Sequence, residues 1–179
     1  ISVDGVGLDL TARAVGSNPY KVTYKGPGGH SYGAFGIPNP IHAMGRAIAK
    51  IADIQVPATP KTTFNVGIVE GGTSVNSIAF EGIMHIDMRS ESAENIRTVD
   101  RQVRRALQEA MDEENARWPG ERAARARVSV VIDTIGIRPT GAQADRVKIV
   151  QVGLAAAKAL GFTAGVGAGS TDSNLPISI

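Results

Sequence analysis

Cysteine does not occur in the 179 residues, which excludes disulfides and thiolate metal sites but fixes no compartment. Aromatic residues make up only 4% of the chain, so any core must be built from Val, Ile, Leu, Ala and Met. Neither sign of charge dominates: 19 Lys and Arg stand against 17 Asp and Glu, a net of +2. So small an excess, spread along the chain, does not make a nucleic-acid surface. No apolar run is long enough to span a bilayer, and no signal peptide is visible. What is present, 42% hydrophobic and 20% charged residues, is ordinary for a globular protein. The length has room for one domain, or for a small domain and a piece of another. The chain begins at Ile1 without an initiator Met and stops inside Pro176–Ile179, which reads as a strand just starting. A piece cut from a larger enzyme is the expectation.

Residues 1–17 have no clear period and read as an irregular lead-in. Tyr20, Val22 and Tyr24 then alternate with Lys21, Thr23 and Lys25, the two-residue period of a half-buried strand. Residues 26–36 hold five glycines in eleven positions, which makes a loop with unusual backbone freedom. Asn39 is placed to cap a helix that starts on Pro40, where a missing N–H costs nothing. Ile41, Met44, Ile48 and Ile51 form its buried stripe. Residues 62–70 read as a strand broken by Gly71-Gly72, and residues 78–89 as a longer one with Ile78, Phe80, Met84, Ile86 and Met88 on one face. Ser92 can cap a second helix, whose stripe is Ile96, Val99, Val103, Leu107, Ala110 and Met111 and whose other side is dense in charge. Residues 128–137 make a fourth strand. The order strand, helix, strand, strand, helix, strand predicts a ferredoxin-like α+β fold, a four-stranded antiparallel sheet with two helices on one face. After Thr140 an apolar helix over residues 147–160, a short apolar segment and a loop at 167–174 follow. That is too little to close a core of its own.

Taken singly, the chemistry-bearing residues admit bland readings. A lone His30 in a polar loop is most often just exposed. The glycine-rich loop lacks the Lys of a phosphate-binding loop and the surrounding strand-helix-strand unit of a dinucleotide fold. His85 and Asp87 would face one way along a strand and are good zinc ligand types, but two ligands do not make a site. Gly71 to Asn76 is a normal turn composition, and a strand-end Arg89 is usually solvated. Ser170, Thr171 and Asp172 invite a hydroxyl nucleophile paired with His30, yet no Gly-x-Ser-x-Gly elbow surrounds Ser170.

Their combination and order carry more. Gly26-Pro27-Gly28-Gly29-His30-Ser31, then Gly71-Gly72-Thr73-Ser74-Val75-Asn76-Ser77-Ile78, then Asp87-Met88-Arg89, then Ser170-Thr171-Asp172-Ser173-Asn174-Leu175-Pro176 resemble successive landmarks of the peptidase M20 family. Acetylornithine deacetylase, succinyl-diaminopimelate desuccinylase, aminoacylase and glutamate carboxypeptidase belong to that family. The resemblance implies a ferredoxin-like dimerisation lid (residues 18–139) inserted in a zinc-peptidase α/β catalytic domain, of which residues 1–17 and 140–179 would be parts. It implies a metal-dependent amidohydrolase or peptidase in which two zinc ions activate a water against an amide carbonyl, with metal ligands and general base on segments outside this chain. No metal is therefore expected on this piece, which alone would be inactive. His30 matches the lid histidine that reaches across a homodimer to meet the developing oxyanion. Asn76 and Arg89 match residues that hold the substrate, a small peptide or N-acyl amino acid. Ser170, Thr171, Asp172 and Asn174 match a catalytic-domain loop near it. A cytoplasmic location without nucleic-acid or membrane partners completes the expectation. The alternative is a stand-alone ferredoxin-like module that binds a small ligand or dimerises without catalysis.

Overall fold

The computed structural model describes residues 7–179; the first six positions of the expected lead-in lie outside them. The elements in chain order are β1 (Leu10–Ala14), β2 (Gly16–Ser17), β3 (Tyr20–Lys25), β4 (Gly29–His30), α1 (Pro40–Ala52), β5 (Thr62–Gly71), β6 (Ser77–Ile78) and β7 (Glu81–Ser90). They continue with α2 (Ala93–Arg117), α3 (Glu121–Arg125), β8 (Ser129–Thr134), β9 (Gly141–Ala142), α4 (Lys148–Ala159), β10 (Val166–Gly169) and α5 (Asn174–Ser178).

The larger sheet runs β5–β7–β3–β8, all neighbours antiparallel, with β2 extending β3 along the same side of β7. This is the ferredoxin-like order that the alternation of strands and helices predicts. Tyr20, Val22, Tyr24, Met84, Ile86 and Met88 point to one face and are buried under Ala43, Met44, Ala47 and Ile51 of α1 and Val99, Val103, Leu107 and Ala110 of α2. Burial of each such large side chain is worth about 1.5–3 kcal/mol, so the two helices and one sheet face hold each other. Both helices start where their caps predict: the Asn39 side chain accepts from the Ile41 N–H and that of Ser92 from the Asn95 N–H.

Several local expectations are corrected. Residues 10–17 are not irregular; β1 pairs in parallel with β10 and antiparallel with β9, forming a second, three-stranded sheet against which α4 packs. Residues 167–169, expected within a loop, belong with Val166 to that parallel strand. Residues 174–178 are helical rather than the start of a strand. Residues 78–89 are not one strand: the chain breaks at Ala79–Phe80, which turns Phe80 outward to 64% exposure instead of into the core face. Two crossings join the sheets, one at Val15 and the other over residues 135–140. Just past the first crossing, β2 bonds to the second through Ser17 N–H to Arg138 O (2.9 Å) and Arg138 N–H to Ser17 O (3.0 Å).

Candidate functional site

The glycine-rich segment between β3 and α1 folds into a tip at one end of the larger sheet. Gly28 holds φ +65° and Gly29 φ +154°. A Cβ on Gly28 would lie 2.3 Å from the Phe80 ring, so outward-turned Phe80 closes over this glycine. The turn that follows brings β4 against β6, pairing His30 with Ser77, and the Ser31 N–H donates to Asn76 O at 2.8 Å. His30 and Asn76 are thus neighbours at the tip. The exposed His30 ring accepts the N–H groups of Tyr32 and Gly33 at Nδ1, both at 3.3 Å. A nitrogen that accepts cannot carry the proton, so in the neutral imidazole the N–H is on Nε2, where it can donate. Asn76 uses its Oδ1 to accept the Ser74 hydroxyl at 2.7 Å, which leaves its amide nitrogen for a ligand.

A buried carboxylate braces the tip from below. Glu114 has no exposed surface. It accepts the Asn39 N–H and the Trp118 indole N–H at Oε1 and Arg46 Nε at Oε2, each at 3.1 Å. The Phe35 ring, from the loop that carries His30, meets the Trp118 ring edge-on at 5.3 Å. Sequence reading places Glu114 in the charged, solvated side of α2. Its signal was there to read: it lies four residues beyond Ala110, on the continuation of the Val103–Leu107–Ala110 stripe. A cavity of about 230 Å³ lies between His42, Phe35, Ile37, Val75, Ile78 and Trp118. Tyr32, Phe35, Val75 and Phe80 leave large apolar surfaces exposed around it.

The other site residues lie at the opposite end. Arg89 is next to last in β7, half-exposed, with its Nε donating to Asp87 Oδ2 at 2.6 Å. It pairs across the sheet with Ser17, at the first crossing. The loop holding Ser170, Thr171 and Asp172 follows β10 and leads into α5 at Asn174, at the same junction, where Asp172 Oδ1 lies 3.7 Å from Arg138 Nη2. From the β7 residue nearest the tip to Arg89 is a strand length of roughly 25 Å at the usual rise per residue. The structure therefore brings His30 to Asn76, and places Arg89 and the Ser170–Asn174 segment at the same junction of the two sheets without a direct contact between them, but does not bring these two groups together.

The metal pair that the resemblance implies finds no ligand set among the described residues. His85 and Asp87 do share the open face of the sheet, but Asp87 is engaged by Arg89. His42 Nδ1 lies 3.8 Å from Glu114, whose oxygens already accept three donors. Among the described residues no group of three or more His, Asp or Glu side chains is placed to hold an ion.

A ferredoxin-like four-stranded sheet under two helices, with a histidine at its tip and two crossings to a second, smaller sheet, defines the class of α+β dimerisation domain to which the comparisons point. The family model described as "Peptidase dimerisation domain" matches residues 14–115. The chain belongs to the M20 peptidase family through this dimerisation domain. Solved structures with the same fold include a tripeptidase from Staphylococcus aureus, 18% identical over 98% of this chain and 44% of that one, with a TM-score of 0.70. Aminopeptidase PepT from Bacillus cereus is 21% identical over 98% of this chain and 44% of that one, TM-score 0.71. An amidase of the hydantoinase/carbamoylase family from Burkholderia vietnamiensis is 16% identical over 91% and 37%, TM-score 0.70. The chain spans less than half the length of each of these. No curated protein matches it.

Proposed function

We propose that this chain is the lid and dimer-forming portion of an enzyme that hydrolyses an amide bond in a small peptide or N-acyl amino acid, and that its tip completes the site of a second copy. One observation carries the reading: His30 and Asn76 sit a full strand length from Arg89 and the Ser170–Asn174 loop. Side chains that far apart cannot hold one small substrate within one chain. They can do so if the tip of one copy meets the junction of another. A self-contained binding module would have no use for the second sheet of β10, β1 and β9.

In this reading Arg89 offers a guanidinium fork to a substrate carboxylate, and Ser170, Thr171 and Asp172 line the adjoining wall. His30 enters from the partner with Nε2–H as donor, and Asn76 adds an amide N–H. The His30 bond strengthens only as negative charge develops on the carbonyl oxygen. The divalent metal pair usual in this family would be held outside the residues described, with none on this portion, which alone would be inactive. Homodimer contact is assigned to the edge of β5, which among the described residues pairs with β7 alone.

Mixed dimers test the reading in the intact protein, with hydrolysis of a panel of dipeptides, tripeptides and N-acyl amino acids as the readout. Neither His30→Ala nor Arg89→Ala homodimers should turn over well; loss of one oxyanion donor costs on the order of a hundredfold to a thousandfold in kcat. A His30→Ala copy paired with an Arg89→Ala copy keeps one complete site if the tip acts across the dimer, and should recover roughly half the wild-type rate. Confirmed heterodimers that stay inactive would place His30 in its own subunit's site or outside catalysis.

A further inference from the structure

We infer that Asn174 is a positioning residue, an amide clamp that fixes the Ser170–Asp172 loop to both crossings between the two sheets. Its resemblance-based reading as a substrate contact does not suit its surroundings. Asn174 is 2% exposed. Its Nδ2 donates one hydrogen to Val15 O at 2.8 Å and the other to Pro139 O at 3.0 Å. Its Oδ1 accepts the Thr171 N–H at 2.8 Å. Both amide hydrogens and the carbonyl are engaged, and nothing remains to offer a ligand.

The three partners are not local to one another. Val15 lies on the first crossing and Pro139 on the second, while Thr171 is in the loop. The crossings touch each other closely: a Cβ on Gly16 would meet Thr140 Cγ2 at 2.6 Å and Arg138 O at 2.9 Å. Val15 N–H also donates to Gly169 O at 2.7 Å, immediately before the loop. Gly141, just past the second crossing, has α5 so near that a Cβ would lie 2.5 Å from Ile177 O. A carbonyl on each crossing points at one planar amide. Only a side chain with two donors and one acceptor at that length satisfies all three. Ionised Asp accepts but cannot donate, and it would set a negative charge against two carbonyl oxygens. The lid's attachment and the loop are therefore held in a single hydrogen-bonded unit, so the loop follows the orientation of the lid.

This inference rests on the reading that the loop faces the substrate, and the two can fail separately. Three chains are compared as the intact protein: wild type, Asn174→Asp, and Asn174→Ser, which keeps one donor and serves if the Asp variant does not fold. Hydrogen exchange reads the clamp. Amides of residues 15–17, 138–141 and 171–174 should lose protection together, roughly tenfold for each hydrogen bond removed, while β3 and β7 keep theirs. In Asn174→Asp, protection should return as the pH is lowered, at a pH above the ordinary carboxyl range because burial against two carbonyl oxygens disfavours the carboxylate, since the protonated carboxyl can donate again; Asn174→Ser should show no such recovery. Hydrolysis of the best panel substrate reads positioning: kcat/KM should fall at least tenfold in step with lost protection, at unchanged dimer content. Protection that is unchanged, or lost in the loop alone, overturns the clamp. Protection lost in all three segments with kcat/KM unchanged overturns the positioning role and with it the placement of the loop at the substrate. If wild type hydrolyses no panel member, the proposed function fails while the exchange measurement still decides the clamp.

Discussion

At the scale of single residues, three side-chain environments make measurable demands. Gly28 combines φ +65° with a space already filled by Phe80. An L-residue in that conformation costs about 1–2 kcal/mol before any clash, so Gly28→Ala should displace the tip. The expected outcome is a kcat loss like that of His30→Ala together with a fall in unfolding free energy of about 1–2 kcal/mol or more, read by urea titration. Glu114 braces the same tip from the interior. Glu114→Ala strands three donors, though Arg46 is partly exposed and can recover water. Breaking such a buried pair should cost about 3 kcal/mol, seen as a lower urea midpoint with an unchanged slope. Tyr24 governs behaviour in alkali. Its hydroxyl is buried and donates to Leu107 O at 2.8 Å, and burial holds its pKa well above the ordinary value of 10.0. Below that value the phenol is neutral in both states, and its contribution is fully present. Above it the unfolded chain ionises first, and stability falls by about 1.4 kcal/mol per pH unit. Tyr24→Phe should lose stability at neutral pH, with the gap to wild type narrowing between about pH 9 and 11. A gap that stays constant would refute the assignment.

At the scale of elements, β5 presents one long edge to solvent. The sequence offers no charge or Pro from residue 62 to 69 to guard it. The structure adds one guard, a register shift between Val66 and Ile68 that bends the strand at Gly67. Val66 packs against the core, so a charge there would damage the fold as well as the edge. Val69 is 53% exposed and gives the cleaner probe: Val69→Lys should weaken self-association at least tenfold by sedimentation while leaving the unfolding midpoint nearly unchanged. The elements legible from sequence were those whose own side chains announce them. Tyr20–Lys25 alternates, α1 and α2 carry apolar stripes, and Asn39 and Ser92 mark the starts. What stayed hidden was pairing of a few residues over long separations. Gly16, Gly141 and the Val166–Gly169 strand have almost no side chains to alternate, and β1 gains its identity only from partners more than a hundred residues away. The same holds at the site. The tip motif could be read as a unit because it is contiguous. The three bonds of Asn174 could not, since they join positions 15, 139 and 171.

At the scale of the whole molecule, the two groups of proposed site residues are separated by the length of the larger sheet. The metal expectation belongs here too, because His30, His42 and His85 do not converge with carboxylates among the described residues. Calorimetric titration with zinc should show no stoichiometric tight site on this chain, and a sharp one-to-one transition would contradict that. The distance between tip and junction has a consequence of its own. If one copy's tip must reach another copy's junction, the hairpin of β5 and β7 acts as a gauge whose length is matched to the dimer rather than to the fold. Adding two residues to each strand at the Gly71–Gly82 end would keep every side chain on its face and leave the core untouched. It would also carry β6 and Asn76 about 7 Å outward, away from His30, which stays tied to the end of β3, giving a folded, dimeric protein whose two tip residues no longer reach the target together.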